Sequence, residues 1–501
     1  MSTEQFVVLL GLIGVVIVTA SLLSGLVDRT GLPQVAIFLL LGTALGPHGL
    51  GLVDFALDST AIQVVASLAL LLVLFSDAID IDVGELRQHR RLAVLILGPG
   101  TLIPAALLAV AGVFLLGLPW PAAAILGGAL ASTDPVLLRH LLRHRAVAGA
   151  SRIALRLESG MNDVVLLPVV VLSMLLLPRV TPIHPDRTIG SHIVGLFVLG
   201  PLLGAAVGWF GIQLLDRVRK RVGVRRDYES LYALGIALSA FAAAEAVGGS
   251  GFLAAFFAGL MVAVLDVELC DCFLDFGQAT SEMFLLLAFV AFGASVIWTG
   301  LAVADLRTLA FAALALVIRT LVLLPVLSRT RMTLRDRRIV SVFGPRGLSS
   351  LLLVLLPVFA GVPEGPRLFA VTALVVLLSI VTHGALMAFY LRRWDNETGG
   401  GVVAPSGQRL DEHADAETSA IAPRVGQPAA TQTPERITLE ELARLRDRGE
   451  ETVLVDARTE RALGTDPRVA ADAVRLSPDD ALRDARALRL SQRATLVVFC
   501  A

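Results

Sequence analysis

Two short polar runs interrupt long apolar stretches of this chain. They are Ser132-Thr133-Asp134-Pro135, and Glu158, Ser159, Asn162 and Asp163 within "RLESGMNDVVLLPVVV". Oxygen donors of these types, a carboxylate beside hydroxyls and backbone carbonyls, suit a hard cation. A carboxylate can hold a proton or a cation but not both at once, so Asp163 and Asp134 are candidates for a group shared by two competing ions. On a helix, Glu158 and Asn162 are i,i+4 neighbours, as are Ser159 and Asp163, and the four span one side of roughly 140°. Pro135 lacks an amide hydrogen, so the carbonyl of Ala131 loses its helical partner, and the residue before a proline is pushed towards an extended conformation. An interrupted helix is therefore expected at Asp134, with free carbonyls near Thr133 and Asp134.

The elements that hold these residues are membrane helices. The chain has 501 residues, of which 55% are hydrophobic and 17% charged, and its mean hydropathy is +0.77. Runs of 18 or more apolar residues recur, which marks a polytopic all-α membrane protein. About thirteen spans are expected, over residues 6–26, 32–45, 61–79, 92–117, 119–138, 153–177, 189–214, 231–247, 251–265, 279–297, 301–327, 339–361 and 368–391. The first has no basic segment before it and no small-residue cleavage site after it, so it reads as a retained helix and not a signal peptide. Basic residues concentrate in alternate loops, such as Arg87, Arg90 and Arg91, or Arg217, Arg219, Lys220 and Arg221. That asymmetry places the N-terminus outside and the C-terminus in the cytoplasm. The formal net charge of −1 gives no indication of nucleic acid, and none is expected as a partner. The three cysteines, Cys270, Cys272 and Cys500, supply no disulfide framework.

Ionisable residues inside the spans are few: Asp77, Asp134, Glu158, Asp163, Glu245, Arg319, Arg346 and His383, with Glu282 near a helix end. Such groups face the protein interior and mark ion or proton paths, the plain alternative being a structural ion pair. A second interruption, Gly344-Pro345-Arg346-Gly347, lies in the twelfth span where the first lies in the fifth. Paired interruptions at matching places in two six-helix halves point to a midplane ion site in a secondary transporter. A channel also tolerates a polar midplane but needs no titratable carboxylate shared between ligands. An intramembrane aspartyl protease could use two facing aspartates, but the Gly-x-Gly-Asp pattern is missing.

"STDP", "ESGMNDV" and "GPRGL", in this order and spacing, resemble the monovalent cation:proton antiporters of the electroneutral type, the bacterial sodium/proton exchangers; "LVLFSDAIDID" at residues 72–82 resembles a further segment of that family. The resemblance covers residues 1 to about 393. It implies thirteen helices in two inverted repeats with interrupted helices crossing at the midplane, a homodimer in the lipids of the bacterial inner membrane, and alternating access. It implies no cofactor beyond the transported cation and H⁺, and no enzymatic activity. Na⁺ is the expected cation and K⁺ the alternative. Carried over by position, Asp163 matches the carboxylate that binds cation or proton, and Asp134, Thr133 and Ser159 match cation-site groups. Asn162 matches the asparagine of an Asn-Asp pair, and Glu158 an acid paired with the arginine that Arg346 matches. Pro135 shapes the break, and Asp77 stands where a third-helix acid is expected.

Residues 1–394 thus form the transmembrane domain. Residues 395–435, rich in Gly, Pro, Ala, Thr and charge, read as a disordered linker. Residues 436–501 carry a soluble α/β pattern: "TLEELARLRDRGEETVLVDAR", "AVRLSP" and "ATLVVFCA" resemble an incomplete rhodanese-like domain. In that family the cysteine matching Cys500 enters an anion-binding loop. Here the chain stops one residue later, so no sulfurtransferase activity is expected.

Overall fold

The computed structural model divides into two compact units, Met1–Asp411 and Glu412–Ala501. The structure describes, in the first, part of residues 10–22, then 34–81, 83–144, 147, 149–177, 189–222, 226–265, 271–330 and 332–398; in the second, 452–457, 470, 473–476, 485, 488 and 495–499.

Helices are the regular elements described in the first unit. After α1 (Gln34–Leu45) and α2 (Thr60–Ile79) come α3 (Val83–Gln88), α4 (Arg90–Leu97), α5 (Pro99–Leu116), α6 (Trp120–Ala131), α7 (Pro135–Arg143) and α8 (Gly149–Leu175). Next are α9 (Ile189–Val194), a π-helical turn, α10 (Gly200–Arg221), α11 (Arg226–Ala246), α12 (Gly251–Leu265) and α13 (Asp271–Ala294). A 3₁₀ turn, α14 (Thr299–Ala302), α15 (Leu306–Leu327), α16 (Leu334–Val342), α17 (Leu348–Phe359) and α18 (Gly365–Thr398) complete it. Every expected span after the first coincides with one or more of these helices, and the described residues between Leu10 and Leu22 are helical too. Among the described residues, seven helices are long and apolar enough to cross a membrane by themselves, or eight with a pair bent by 58° at Ser295. This is a multi-pass membrane protein.

Proline and glycine set the breaks. The fourth expected span splits at Gly98, because Pro99 offers no amide hydrogen to the preceding turn. The Asp134-Pro135 and Gly344-Pro345 interruptions appear where the sequence places them, between α6 and α7 and between α16 and α17. The last helix is described as far as Thr398, past the expected linker boundary at 395.

Hydrophobic burial does little to join helices in lipid, so their contacts rely on close packing of small residues. A side-chain carbon on Gly204 of α10 would run into the backbone of Ala254 on α12, and one on Gly259 of α12 would meet the Phe75 carbonyl on α2. Gly42 of α1 and Gly293 of α13 allow a similar approach. Buried Phe38, Phe256, Phe289, Phe292, Phe311 and Phe369 fill the spaces between helices.

In the second unit three strands are described, β1 (Thr452–Asp456), β2 (Val474–Arg475) and β3 (Thr495–Phe499). They form a parallel sheet of order β2-β1-β3, with Val455 opposite both Val474 and Val498. Parallel pairing agrees with the α/β reading of this segment. The expected helix at 438–449, the linker from 399 onward and Cys500 lie outside the described residues.

The Gly204 contact leads to a prediction. Gly204→Val forces α10 away from the Ala254 backbone and should lower stability by at least about 1–3 kcal/mol, the usual range for overpacking. It should appear as a reduced melting temperature in detergent, whereas Leu202→Val, on the exposed face of the same helix, should leave melting unchanged.

Candidate functional site

The site forms where the two interrupted helices cross. Ser132 and Asp134 are extended, with φ/ψ of −63°/141° and −86°/117°, and Asp134 is the N-cap of α7, accepting from the Val136 N–H at 2.8 Å. The second break runs from Phe343 to Gly347. The Asp134 N–H donates to the Pro345 carbonyl at 3.0 Å, and the Leu348 N–H donates to Asp134 Oδ2 at 2.6 Å. One carboxylate therefore caps the N-termini of both α7 and α17, the ends where helix dipoles favour negative charge.

Arginines neutralise the opposite ends. Arg346 Nη1 donates to the carbonyls of Ala131 and Ser132, at 2.8 and 2.9 Å, at the C-terminus of α6. Arg319, from α15, donates through Nη1 to the Ser341 carbonyl at 2.7 Å in the last turn of α16. Three charged side chains thus answer all four half-helix ends. The two glycines of "GPRG" make room for this: a side chain on Gly347 would collide with the Asp134 carboxylate, and one on Gly344 with the Arg319 guanidinium.

Two sequence expectations are corrected here. The Ala131 carbonyl freed by Pro135 is not open to a cation, because Arg346 occupies it. Glu158 does not bond to Arg346. It makes a two-pronged pair with Arg319, Nε to Oε1 at 2.7 Å and Nη2 to Oε2 at 2.5 Å, with both side chains 4% exposed. The physical reason is that Arg346 spends its guanidinium on helix-end carbonyls, whereas the fork of Arg319 reaches α8 with its remaining donors.

Asp163, 2% exposed, sits on α8 beside the first break. Its Oδ1 accepts from the Ser132 hydroxyl, and the Ser349 hydroxyl of α17 lies close to the same carboxylate. Its Oδ2 is buried and has no hydrogen-bond partner among the described residues. Asn162 donates through Nδ2 to Thr133 Oγ1 at 2.7 Å and more weakly to the Thr133 carbonyl at 3.4 Å, which ties α8 to the first break; its own Oδ1 is likewise buried and unpartnered. Ser159, expected to point with Asp163, instead turns its hydroxyl to the Arg156 carbonyl of its own helix at 3.5 Å. Asp77, at the end of α2, is half-buried and within electrostatic reach of Asp163 and Asp134. The Asp77 carbonyl lies beside Gly160 of α8, 4.0 Å from where a side-chain carbon there would stand.

Behind the crossing, the Arg346 N–H donates to Ser379 Oγ on α18 at 2.7 Å, and that hydroxyl bonds His383 Nδ1 at 3.2 Å. Sequence reading missed Ser132, Ser349 and Ser379 as partners. The first adjoins "TDP" and the second opens α17 after "GPRGL", so both lay in motifs already noted; Ser379 carries no sequence signal.

Residues 15–393 match the family described as sodium/hydrogen exchanger, transmembrane. The chain belongs to this family. Among curated relatives, the K(+)/H(+) antiporter NhaP of Alkalimonas amylolytica is 26% identical over 381 residues, and the K(+)/H(+) antiporter NhaP2 of Shewanella oneidensis is 29% identical over 392. Each alignment covers 75% of this chain, and the chain spans 65% of the length of each relative. The sodium proton antiporter MjNhaP1 from Methanocaldococcus jannaschii superposes with a TM-score of 0.62 at 18% identity, over 76% of this exchanger-family chain and 100% of that one. The likeness in fold extends over the whole of that antiporter. These relatives are named as antiporters.

The ion pair generates a prediction for this family member. Glu158→Gln or Arg319→Gln leaves a buried charge unpaired and should cost about 3–5 kcal/mol. In a double-mutant cycle followed by melting in detergent, Glu158 should couple more strongly to Arg319 than to Arg346. Stronger coupling to Arg346 would contradict the pairing described here.

Proposed function

We propose that the chain exchanges a monovalent cation for protons across the membrane by alternating access, with Asp163 as the group that binds one or the other. The observation that carries this is a charge count at the crossing. Arg346 and Arg319 are balanced by Asp134 and Glu158, and all four are engaged with helix ends or with each other. Apart from Asp77 at the end of α2, which lies within electrostatic reach, Asp163 is the surplus negative charge, buried, with one carboxylate oxygen unpartnered among the described residues. An unpaired buried charge is costly, so Asp163 needs a proton or a cation. The neighbouring donors fit a small hard cation: the hydroxyls of Ser132 and Ser349, with Thr133 and Asp134 held alongside. A channel would not require that competition.

The same count supports electroneutral exchange, with Asp77 holding one protonation state through the cycle as part of this proposal. Asn162 cannot take up or release a proton, and both oxygens of Asp134 are bonded to backbone N–H groups. One carboxylate trading one proton for one cation moves no net charge. Na⁺ is the cation we assign first, on the resemblance of the motifs and the small hydroxyl-lined site. K⁺ is the second reading, supported by the naming of the curated relatives as K(+)/H(+) antiporters. The protein is further proposed to work as a homodimer in a bacterial cell membrane, with its N-terminus outside and its C-terminus in the cytoplasm, the orientation favoured by the loop arginines.

Two measurements test this. Asp163→Asn, nearly isosteric, should insert and fold yet lose cation-dependent proton flux in proteoliposomes for Na⁺, K⁺ and Li⁺ alike; a purified variant exchanging at the wild-type rate would remove Asp163 from the mechanism. Exchange of Na⁺ or Li⁺ under a valinomycin-clamped potential of either sign should be indifferent to voltage, because one net charge moved across 100 mV would contribute about 2.3 kcal/mol. A rate that follows the potential would overturn electroneutrality while leaving antiport standing.

A further inference from the structure

A groove of about 510 Å³ opens on the outer surface where α4 breaks into α5. Leu86, Ala93, Val94, Leu97, Leu102 and Val165 line it, with Gly98 at the break and Arg90 at one end. Gly98, between the two helices, adds no side chain to its wall. Its walls are hydrocarbon, and several stand open to the surroundings: Val94 is 68% exposed and Leu102 42%. Arg90, Val94 and Leu97 follow one another along the face of α4 at i, i+4 and i+7, so the charge lies at one end of a single apolar stripe.

That end is strongly basic. Arg87, Arg90 and Arg91 are all exposed; α3 and α4 carry one acid, Glu85, with Asp80 and Asp82 preceding them in the chain. None of the three guanidinium groups has a partner among the described residues. This sets them apart from Arg319 and Arg346, whose guanidinium groups bond to helix-end carbonyls, and from Arg139, which pairs with Glu282 at 2.7 Å. An apolar channel continuous with a cluster of unpaired arginines matches an amphiphile with an anionic head. Basic pockets between membrane helices take such head groups, and a soluble anion would gain nothing from the hydrocarbon walls.

We infer that the groove between α4, α5 and α8 binds one anionic phospholipid, with an acyl chain along Val94, Leu97, Leu102 and Val165 and its phosphate at Arg90, flanked by Arg87 and Arg91. Val165 lies two residues beyond Asp163 on the same helix, so this lipid packs on the outer side of the segment that carries the ion site. The inference rests on membership of a membrane family and on the groove itself; it does not depend on the exchange reading, and ion flux is not its readout.

The test is native mass spectrometry of the full-length protein in detergent, with 1-palmitoyl-2-oleoyl phosphatidylglycerol or the matching phosphatidylcholine added. Phosphatidylglycerol should be retained at one per chain in preference to phosphatidylcholine. Arg90→Gln/Arg91→Gln should reduce that preference by about fivefold for each arginine removed. Val94→Trp, which fills the groove and leaves the charges in place, should abolish retention. Melting temperatures in phosphatidylcholine micelles identify any variant that fails to fold, and because the two variants act on different parts of the site, either suffices. Equal retention of the two lipids overturns the proposal. So does wild-type retention by a folded variant, or complete displacement of the lipid by millimolar glycerol phosphate, which would mark a simple anion site.

Discussion

A broken helix inside a membrane exposes backbone N–H and C=O groups where no lipid can satisfy them. This chain breaks two helices at one depth and crosses them, so each break supplies what the other lacks. Asp134, from the first, caps two helix N-termini, one of them in the second. Arg346, from the second, caps the C-terminus of the first. Arg319 answers the remaining end and carries the connection to Glu158 on α8. The ion site depends on this arrangement, because a crossing whose ends are satisfied from within can leave a single carboxylate unsatisfied beside it.

The same economy accounts for the residue types at the crossing. The breaks need proline to remove a donor, glycine to admit a neighbouring side chain, and charges matched to the dipole at each end. Gly344 and Gly347 are required by what approaches them, the Arg319 guanidinium and the Asp134 carboxylate, and neither has a left-handed backbone. Serines attach the crossing to its surroundings: Ser132 to Asp163, and Ser379 to the backbone of Arg346 and to His383. Around the crossing, close contacts at Gly42, Gly204, Gly259 and Gly293 hold the flanking helices at short range, which suits a membrane interior where packing and not water exclusion joins helices.

Much was legible in the sequence by itself. Apolar run lengths gave the membrane class and the spans, since a helix must cross a fixed thickness of hydrocarbon. Pro135 and Pro345 located both breaks, because the loss of an amide hydrogen is a local property. Asp163, Asp134 and Asn162 stood out because charge and amide groups at that depth are expensive, and the short β-branched apolar runs in "TVLVD" and "TLVVF" marked strands that the structure pairs in parallel.

Partner choice was decided only by the tertiary structure. Arg319 and Arg346 are both lone arginines in apolar spans, and nothing local distinguishes which of them meets Glu158. The assignment depends on which guanidinium remains available once the helix-end carbonyls have been satisfied, and those carbonyls come from segments more than two hundred residues away in the chain for Arg346. For the same reason Ser159, in helical register with Asp163, bonds its own helix, while Ser132, across the crossing, bonds the carboxylate. Sequence spacing fixes which side of a helix a residue occupies; which atoms lie opposite it is set by how the helices cross.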